Sequence, residues 1–486
     1  MSSGEEVALL PAAEQARRVA SGVLSPVDLL DASLARVERF NPELNAIVTL
    51  DPRAHDAARK LERRIQRGEP VGPLAGVVVG IKDVTEVAGL RTTYGSPLFT
   101  NHVPEADAHV VARLRSADAI ILGKTNTPEF AAGGNTYNDV FGRTRNPWDP
   151  DRSAGGSTGG GAAALASGMI GIAQGTDLGG SLRIPASFCG VVGLRPSVGL
   201  VPTVPQEYLW DTLQVTGTMG RTAEDVALSL GAICEPTPAS PLSHGRWADD
   251  LVASVRRGDP TQLRLAYCRD IGAIGVDPEI QAVCDSAVLA LQSAGARVDL
   301  IDFDLSGARQ AYLALRGLWF VSQLYPYLDQ IDSFGSNVSS NLQAGLEVTT
   351  HQLAAAEGER RRMWERFQTL FRSYHHLLTP TMAVPPFPVE ENFPRTVGGR
   401  EMSSYMDWLA PTFLLSMTGL PVGSVPCGLD PGGLPVGLQI VGRPRAEGEV
   451  LATAGIIEAL CPLGSPPRLA GAIATGSRTG LRPDGG

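Results

Sequence analysis

The stretch Gly155 to Leu194, GGSTGGGAAALASGMIGIAQGTDLGGSLRIPASFCGVVGL, restricts this chain more than any other. It opens with a glycine-rich turn carrying Ser157 and Thr158, followed by the small apolar run Ala162 to Ala166. A second glycine-rich turn, Thr-Asp-Leu-Gly-Gly-Ser, presents Ser181. A flexible Gly/Ser linker would lack the ordered apolar segment between the two turns. Glycines ahead of a serine let backbone N–H groups converge on one point, which is the geometry an oxyanion requires. Two unrelated tight loops would not account for this density and spacing.

A serine hydroxyl is a weak nucleophile and needs a base within hydrogen-bond reach. No histidine lies in the signature, and Gly-Gly-Ser-Leu-Arg lacks the G-x-S-x-G elbow, so a Ser-His-Asp arrangement is disfavoured. Upstream, Gly76 to Asp83 (GVVVGIKD) reads as a buried strand with Lys82 at its end. A lysine in that company either snorkels to solvent or is buried at a cost. A phosphate-binding loop is excluded, because GxxxxGK spacing and a following Ser or Thr are both missing. Lysine accepts a proton only when neutral. Burial can lower its reference pKa of about 10.4 by roughly 3–5.

Together these segments resemble the amidase signature family. Gly155 to Gly161 matches its GGSSGGS-like turn, Gly175 to Ser181 its GTDxGGS-like turn, and Val79 to Asp83 its lysine segment. The spacings of Lys82, Ser157 and Ser181 match as well. The likeness continues through Gly123 to Asn126, Asn146 to Asp149 and Thr418 to Pro421, so it covers most of the chain. It implies Ser181 as nucleophile, Ser157 as a bridging serine after a cis peptide bond, and Lys82 as base. It implies an oxyanion hole from the backbone N–H groups of Leu178, Gly179, Gly180 and Ser181. It also places Phe130, Ala131, Ala132 and Gly133 at an acyl pocket. Thr158 and Gly161 depart from the usual serines and put the surroundings of the triad in question. Asp177 and Arg183 are read as pinning the nucleophile turn, and Asn146 to Trp148 as supporting the serine loop. Residues 203–213, with Tyr208 and Trp210, are either a cover for the site or core; on the first reading Trp210 contacts substrate.

The implied function is hydrolysis of carboxylic amides through an acyl-enzyme at Ser181, with esters and carbamates of similar shape as further candidates. The alternative is the A subunit of a glutamine-dependent tRNA amidotransferase. Against it, the tyrosine-rich helix of that protein is missing near 345–370. Leu213 to Gly217 (LQVTG) also stands where Asp-Gln-Ile-Gly-Pro is usual. A non-catalytic binding protein on this fold would need a broken triad, and all three residues are present.

Lys and Arg number 41 against 51 Asp and Glu, a net charge of −10, which argues against a nucleic-acid surface. No His-x-x-x-His or Cys-x-x-Cys pair suggests a metal, and no cofactor is implied. The 6 cysteines lie far apart and read as reduced, buried hydrophobes. No apolar run reaches membrane-spanning length and no signal peptide is apparent, so a cytoplasmic enzyme of small-molecule amides is expected. A homodimer is left open.

The expected fold is α/β: one large domain, 71–470, around a mixed twisted sheet with helices on both faces. A helical segment, 1–70, packs on it, and a disordered tail follows from 471 to 486. Ser25-Pro26 starts a helix that Asn41-Pro42 should stop. Gly217 to Leu230 is read as a helix with a capping pattern at Thr222.

Overall fold

The computed structural model describes residues 5–244 and 250–466. Short runs rich in branched apolar residues favour extended backbone, and 11 of them line up in a single sheet. In chain order the strands are β1 Ile47–Leu50, β2 Val78–Lys82, β3 Ile120–Thr125, β4 Ile172–Asp177, β5 Val192–Arg195 and β6 Val215–Gly220. They continue as β7 Arg264–Tyr267, β8 Arg297–Leu300, β9 His376–Pro380, β10 Val422–Leu429 and β11 Pro435–Val441. Across the sheet the order is β1-β3-β2-β4-β6-β5-β10-β11-β9-β7-β8. Pairing is parallel along β3-β2-β4 and along β9-β7-β8, and antiparallel elsewhere.

Alternate residues of the strands point to opposite layers, as the pleat requires. Val79 and Ile81 of β2 pack in one layer with Val111 and Leu114, whereas Val78 packs in the other with Leu30 and Leu165. Leu378 and Leu377 of β9 divide in the same way. With both faces covered, the strands read as continuous apolar runs, which is why they are visible in the sequence.

Three expectations fail locally. Ile47–Leu50 is an edge strand antiparallel to β3, in a segment read as helical. It is too short and too exposed on its outer side to show a periodicity. Pro42 does not stop its helix, which runs Pro26–Leu44 and ends at Asn45 in the left-handed conformation (φ 48°). Proline removes one hydrogen bond of the last turn; the Asn41 side chain compensates by accepting from Ala46 and Ile47 N–H, each at 2.8 Å. Gly217–Gly220 belongs to β6, and the helix Ala223–Ile233 starts only after the Thr222/Asp225 capping box. The tail expected from 471 lies outside the described residues.

Strands β2, β3 and β4 run parallel, so Lys82, Thr125 and Asp177 sit at one edge, the carboxyl ends where α/β sheets bind ligands. The crossover from β3 to β4 carries the helix Gly159–Ala166. Its small residues let it lie against the strand ends: a Cβ on Gly160 would stand 2.4 Å from Asn126 N.

Candidate active site

At the end of β2 the Lys82 side chain is fully buried. Its Nζ lies 2.7 Å from Ser157 Oγ and 3.1 Å from Thr176 Oγ1. Burial drives its pKa down to about 7, with the Asp177 carboxylate opposing part of the fall. An ammonium there would have lost its water and gained two hydroxyls in return. Ser157 is buried too, and the peptide bond Gly156–Ser157 is cis. Gly156 is held close beneath residues 133–135: a Cβ on it would approach the Gly133 carbonyl oxygen to 2.8 Å.

The second turn is built around Asp177. Its carboxylate accepts from Arg183 Nη2 at 2.9 Å and Nε at 3.0 Å, from Arg195 Nη1 at 3.3 Å, and from the Gly180 and Leu182 amides at 2.8 and 3.2 Å. Burial alone would raise the Asp177 pKa, but the charges of Arg183 and Arg195 and the Gly180 N–H together hold it below the usual carboxylate range. Arg183 reaches on to the Thr412 carbonyl, Gln439 Oε1 and Ser416 Oγ, tying the turn to β11 and to the helix Ala410–Ser416. The expected pinning role of Asp177 and Arg183 fits this geometry.

Ser181, half-buried, follows Gly180, whose φ of +121° only glycine adopts readily. A Cβ on Gly180 would also meet Thr412 Oγ1 at 2.4 Å. The Ser181 carbonyl accepts from Thr158 N–H at 3.2 Å and so joins the two turns. The Ser181 hydroxyl makes no hydrogen bond among the described residues. Of the four amides named for the oxyanion hole, that of Gly180 is already committed to Asp177. The Leu178, Gly179 and Ser181 amides have no acceptor among the described hydrogen bonds. The departures at 158 and 161 compensate each other. The Thr158 methyl lies 3.1 Å from where a Cβ on Gly161 would sit, filling space that a serine there would use.

Next to Lys82 lies a cavity of about 330 Å³, with Thr176, to which Lys82 Nζ bonds, in its wall. Phe130 and Ala131 line it, both at positive φ (44° and 60°). Phe130 is fixed by stacking on Tyr94 (ring centroids 5.6 Å) and by the edge of Phe334 (5.5 Å). Ala132 and Gly133 are not in its walls: Ala132 is buried and its carbonyl accepts from Asn337, while Gly133 lies against Gly156. Trp210 is 65% exposed and outside the cavity. Its loop is anchored instead by buried Asp211, which accepts from Trp319 Nε1 at 2.6 Å and from the Leu213 amide. An aromatic residue beside a buried anchor carries no mark distinguishing it from the anchor. Residues 202–207 of the same loop do form a wall, with Val204–Pro205 cis.

Thr176, Glu86, Tyr94, His102 and Trp319 also belong to this environment, and sequence reasoning does not single them out. For Glu86 a signal exists, a second carboxylate after Asp83, four residues beyond Lys82. Among the described residues no group of three His, Cys, Asp or Glu side chains is placed to hold a metal ion, and no helix is long and apolar enough to cross a membrane.

The sequence matches the Amidase family over residues 28–451. It is 37% identical over 465 residues to an acylamidase of Rhodococcus erythropolis, covering 93% of this chain and 96% of that protein. It is 33% identical over 484 residues to the A subunit of the glutamyl-tRNA(Gln) amidotransferase of Carboxydothermus hydrogenoformans, covering 93% and 97%. A bacterial aryl acylamidase of the amidase signature family superposes with a TM-score of 0.86 at 28% identity, covering 95% of this chain and 98% of that one. Fold, signature turns and these likenesses agree, and the chain belongs to the amidase signature family as an amide-hydrolysing enzyme.

Proposed function

We propose that the chain is a stand-alone amidase that works through Lys82, Ser157 and Ser181. The observation that carries this is the fully buried Lys82 amine, 2.7 Å from Ser157 Oγ and with a pKa of about 7. At neutral pH a large share of such amines is unprotonated and able to accept a proton. The Ser181 hydroxyl turns to Ser157 as substrate binds; catalytic hydrogen bonds are often open without ligand. Ser181 Oγ then bonds to the amide carbon as its proton passes to Ser157, whose own proton passes to Lys82 Nζ. The carbonyl oxygen takes the negative charge, facing the free amides of Gly179 and Ser181. Collapse breaks the C–N bond, and the proton returns through Ser157 to the leaving nitrogen. This leaves an ester at Ser181. Water repeats the sequence, releasing the acid and restoring the hydroxyl.

In this reading Gly180 acts through conformation: its N–H holds the turn to Asp177 and its positive φ aims Ser181. Leu178 is packing. The test is covalent. A fluorophosphonate should add to Ser181, seen by peptide mass spectrometry, and Ser181→Ala should remove both the adduct and the hydrolysis while the fold persists. An adduct at Ser157 or at a cysteine would overturn the assignment.

A further inference from the structure

We propose that Glu86 makes the cavity selective for amides whose acyl part ends in an ammonium group. The cavity walls carry two carboxylates, Glu86 and Glu207, and no lysine or arginine. Glu86 is half-buried, accepts from Tyr94 Oη at 2.8 Å, and has no ion pair among the described residues. The nearby Lys124 is directed elsewhere, to the Thr85 carbonyl, to Thr92 Oγ1 at 2.9 Å and to Asp83, 3.7 Å away. Lys124 thus pairs directly with Asp83 and acts on Glu86 only at longer range, so no cation contacts the Glu86 carboxylate at the cavity wall. A carboxylate taken partly out of water without a cation is unfavourable unless a ligand supplies one.

The surroundings suit the same ligand. Tyr94 is held by stacking on His102 (centroids 5.7 Å) and on Phe130 (5.6 Å), so the hydroxyl that it donates to Glu86 is fixed in place and keeps the carboxylate at the wall. None of Lys82, Ser157 and Ser181 lines the cavity itself, so it takes a part of the substrate beyond the reacting carbonyl, and the proposal assigns it the acyl part. Glu86 is four residues from Lys82, a separation of at most about 14 Å along the chain, so one substrate can touch both ends. The turnover part of this inference rests on the amidase reading above; the binding part does not.

The experiment therefore has two arms. Calorimetry compares ω-aminohexanamide with its uncharged isostere, heptanamide, on the wild type and on Glu86→Gln, Glu86→Asp and Glu207→Gln. A hydrogen-bonded charge pair of this kind is worth roughly tenfold or more in affinity. The amine should bind at least that much better than the isostere. Glu86→Gln should abolish the difference, and Glu86→Asp should keep part of it. Equal affinities in the wild type, binding of neither amide, or a preference lost in Glu207→Gln but kept in Glu86→Gln would each overturn the proposal. The second arm takes the ratio of kcat/KM for ω-aminohexanoyl and heptanoyl para-nitroanilides, which Glu86→Gln should lower to near one. If binding discriminates but neither anilide turns over, the amidase reading fails and the selectivity stands. If both turn over equally and binding does not discriminate, the selectivity alone fails.

Discussion

A neutral amine accepts a proton and an ammonium ion does not, so the environment of Lys82 decides its role. Its pKa of about 7 means that kcat/KM should rise as pH climbs through that value and level off above. Lys82→Arg should lose about 10²–10⁴-fold in kcat, nearly as much as Lys82→Ala, because a guanidinium stays protonated. Substantial neutral-pH turnover by Lys82→Arg would end the case for a base at 82. The same burial has a cost in stability. The unfolded chain keeps its lysine protonated up to about pH 10, whereas the folded one releases that proton at about 7. The penalty is thus largest below pH 7 and fades as pH rises, by about 1.4 kcal/mol per pH unit between those limits. Lys82→Met should raise the denaturation midpoint more at pH 6 than at pH 9, by urea titration of both proteins. An equal gain at both would show that the amine is not neutralised by folding. The three proposed triad positions are legible in the sequence because chemistry ties them to fixed motifs, two glycine turns and one strand end. Thr176 is not, since its hydroxyl matters only through the register that sets β4 beside β2. Trp210 misleads for the opposite reason: large aromatics read as ligands until burial shows that Asp211 holds the loop.

Among the elements, the nucleophile turn depends on a carboxylate shared by two buried guanidinium groups. Asp177 is fully buried, as are Arg183 and Arg195. Removing one member of such a cluster costs about 3–5 kcal/mol, because the others stay buried and unpaired. Asp177→Asn should lower stability by about that amount and release the Gly180 and Leu182 amides, so activity should fall with it. The depressed Asp177 pKa means that its contribution is present above the unfolded carboxyl value of about 3.9 and is lost as pH falls below it. A loss under about 1 kcal/mol, with activity intact, would reassign the turn's stability to packing. From sequence, Asp177 and Arg183 show as a pair six residues apart. Arg195 does not, because it arrives from β5 through the order of the sheet. The same holds for β1: nothing local in Ile47–Leu50 announces a strand, and its pairing with β3 makes it one. Elements with long apolar runs or clear caps, such as β2 and the helix after Ser25, are legible in place.

At the scale of the whole molecule, one sheet runs from β1 to β8, and a cavity with Thr176 in its wall lies at the carboxyl end of β4, next to Lys82. The charge of that cleft separates the two functions that the relatives leave open. A tRNA amidotransferase draws ammonia from glutamine, whose α-carboxylate needs a cation to hold it. Here the walls hold Glu86 and Glu207 with no lysine or arginine, so a carboxylate entering them would meet like charge and no fixed cation to pair with. Leaving a charge unpaired in a partly dry site costs several kcal/mol. The prediction is that the chain, purified alone, releases aniline from neutral or ammonium-bearing anilides with no second protein. Glutamine should be on the order of a hundredfold poorer in kcat/KM, a difference of about 2.7 kcal/mol. The assay is ammonia release from glutamine against chromophore release from the anilide, at one enzyme concentration. Glutamine turnover equal to the anilide's, or any activity that appears only when the other amidotransferase proteins are added, would favour the amidotransferase role instead.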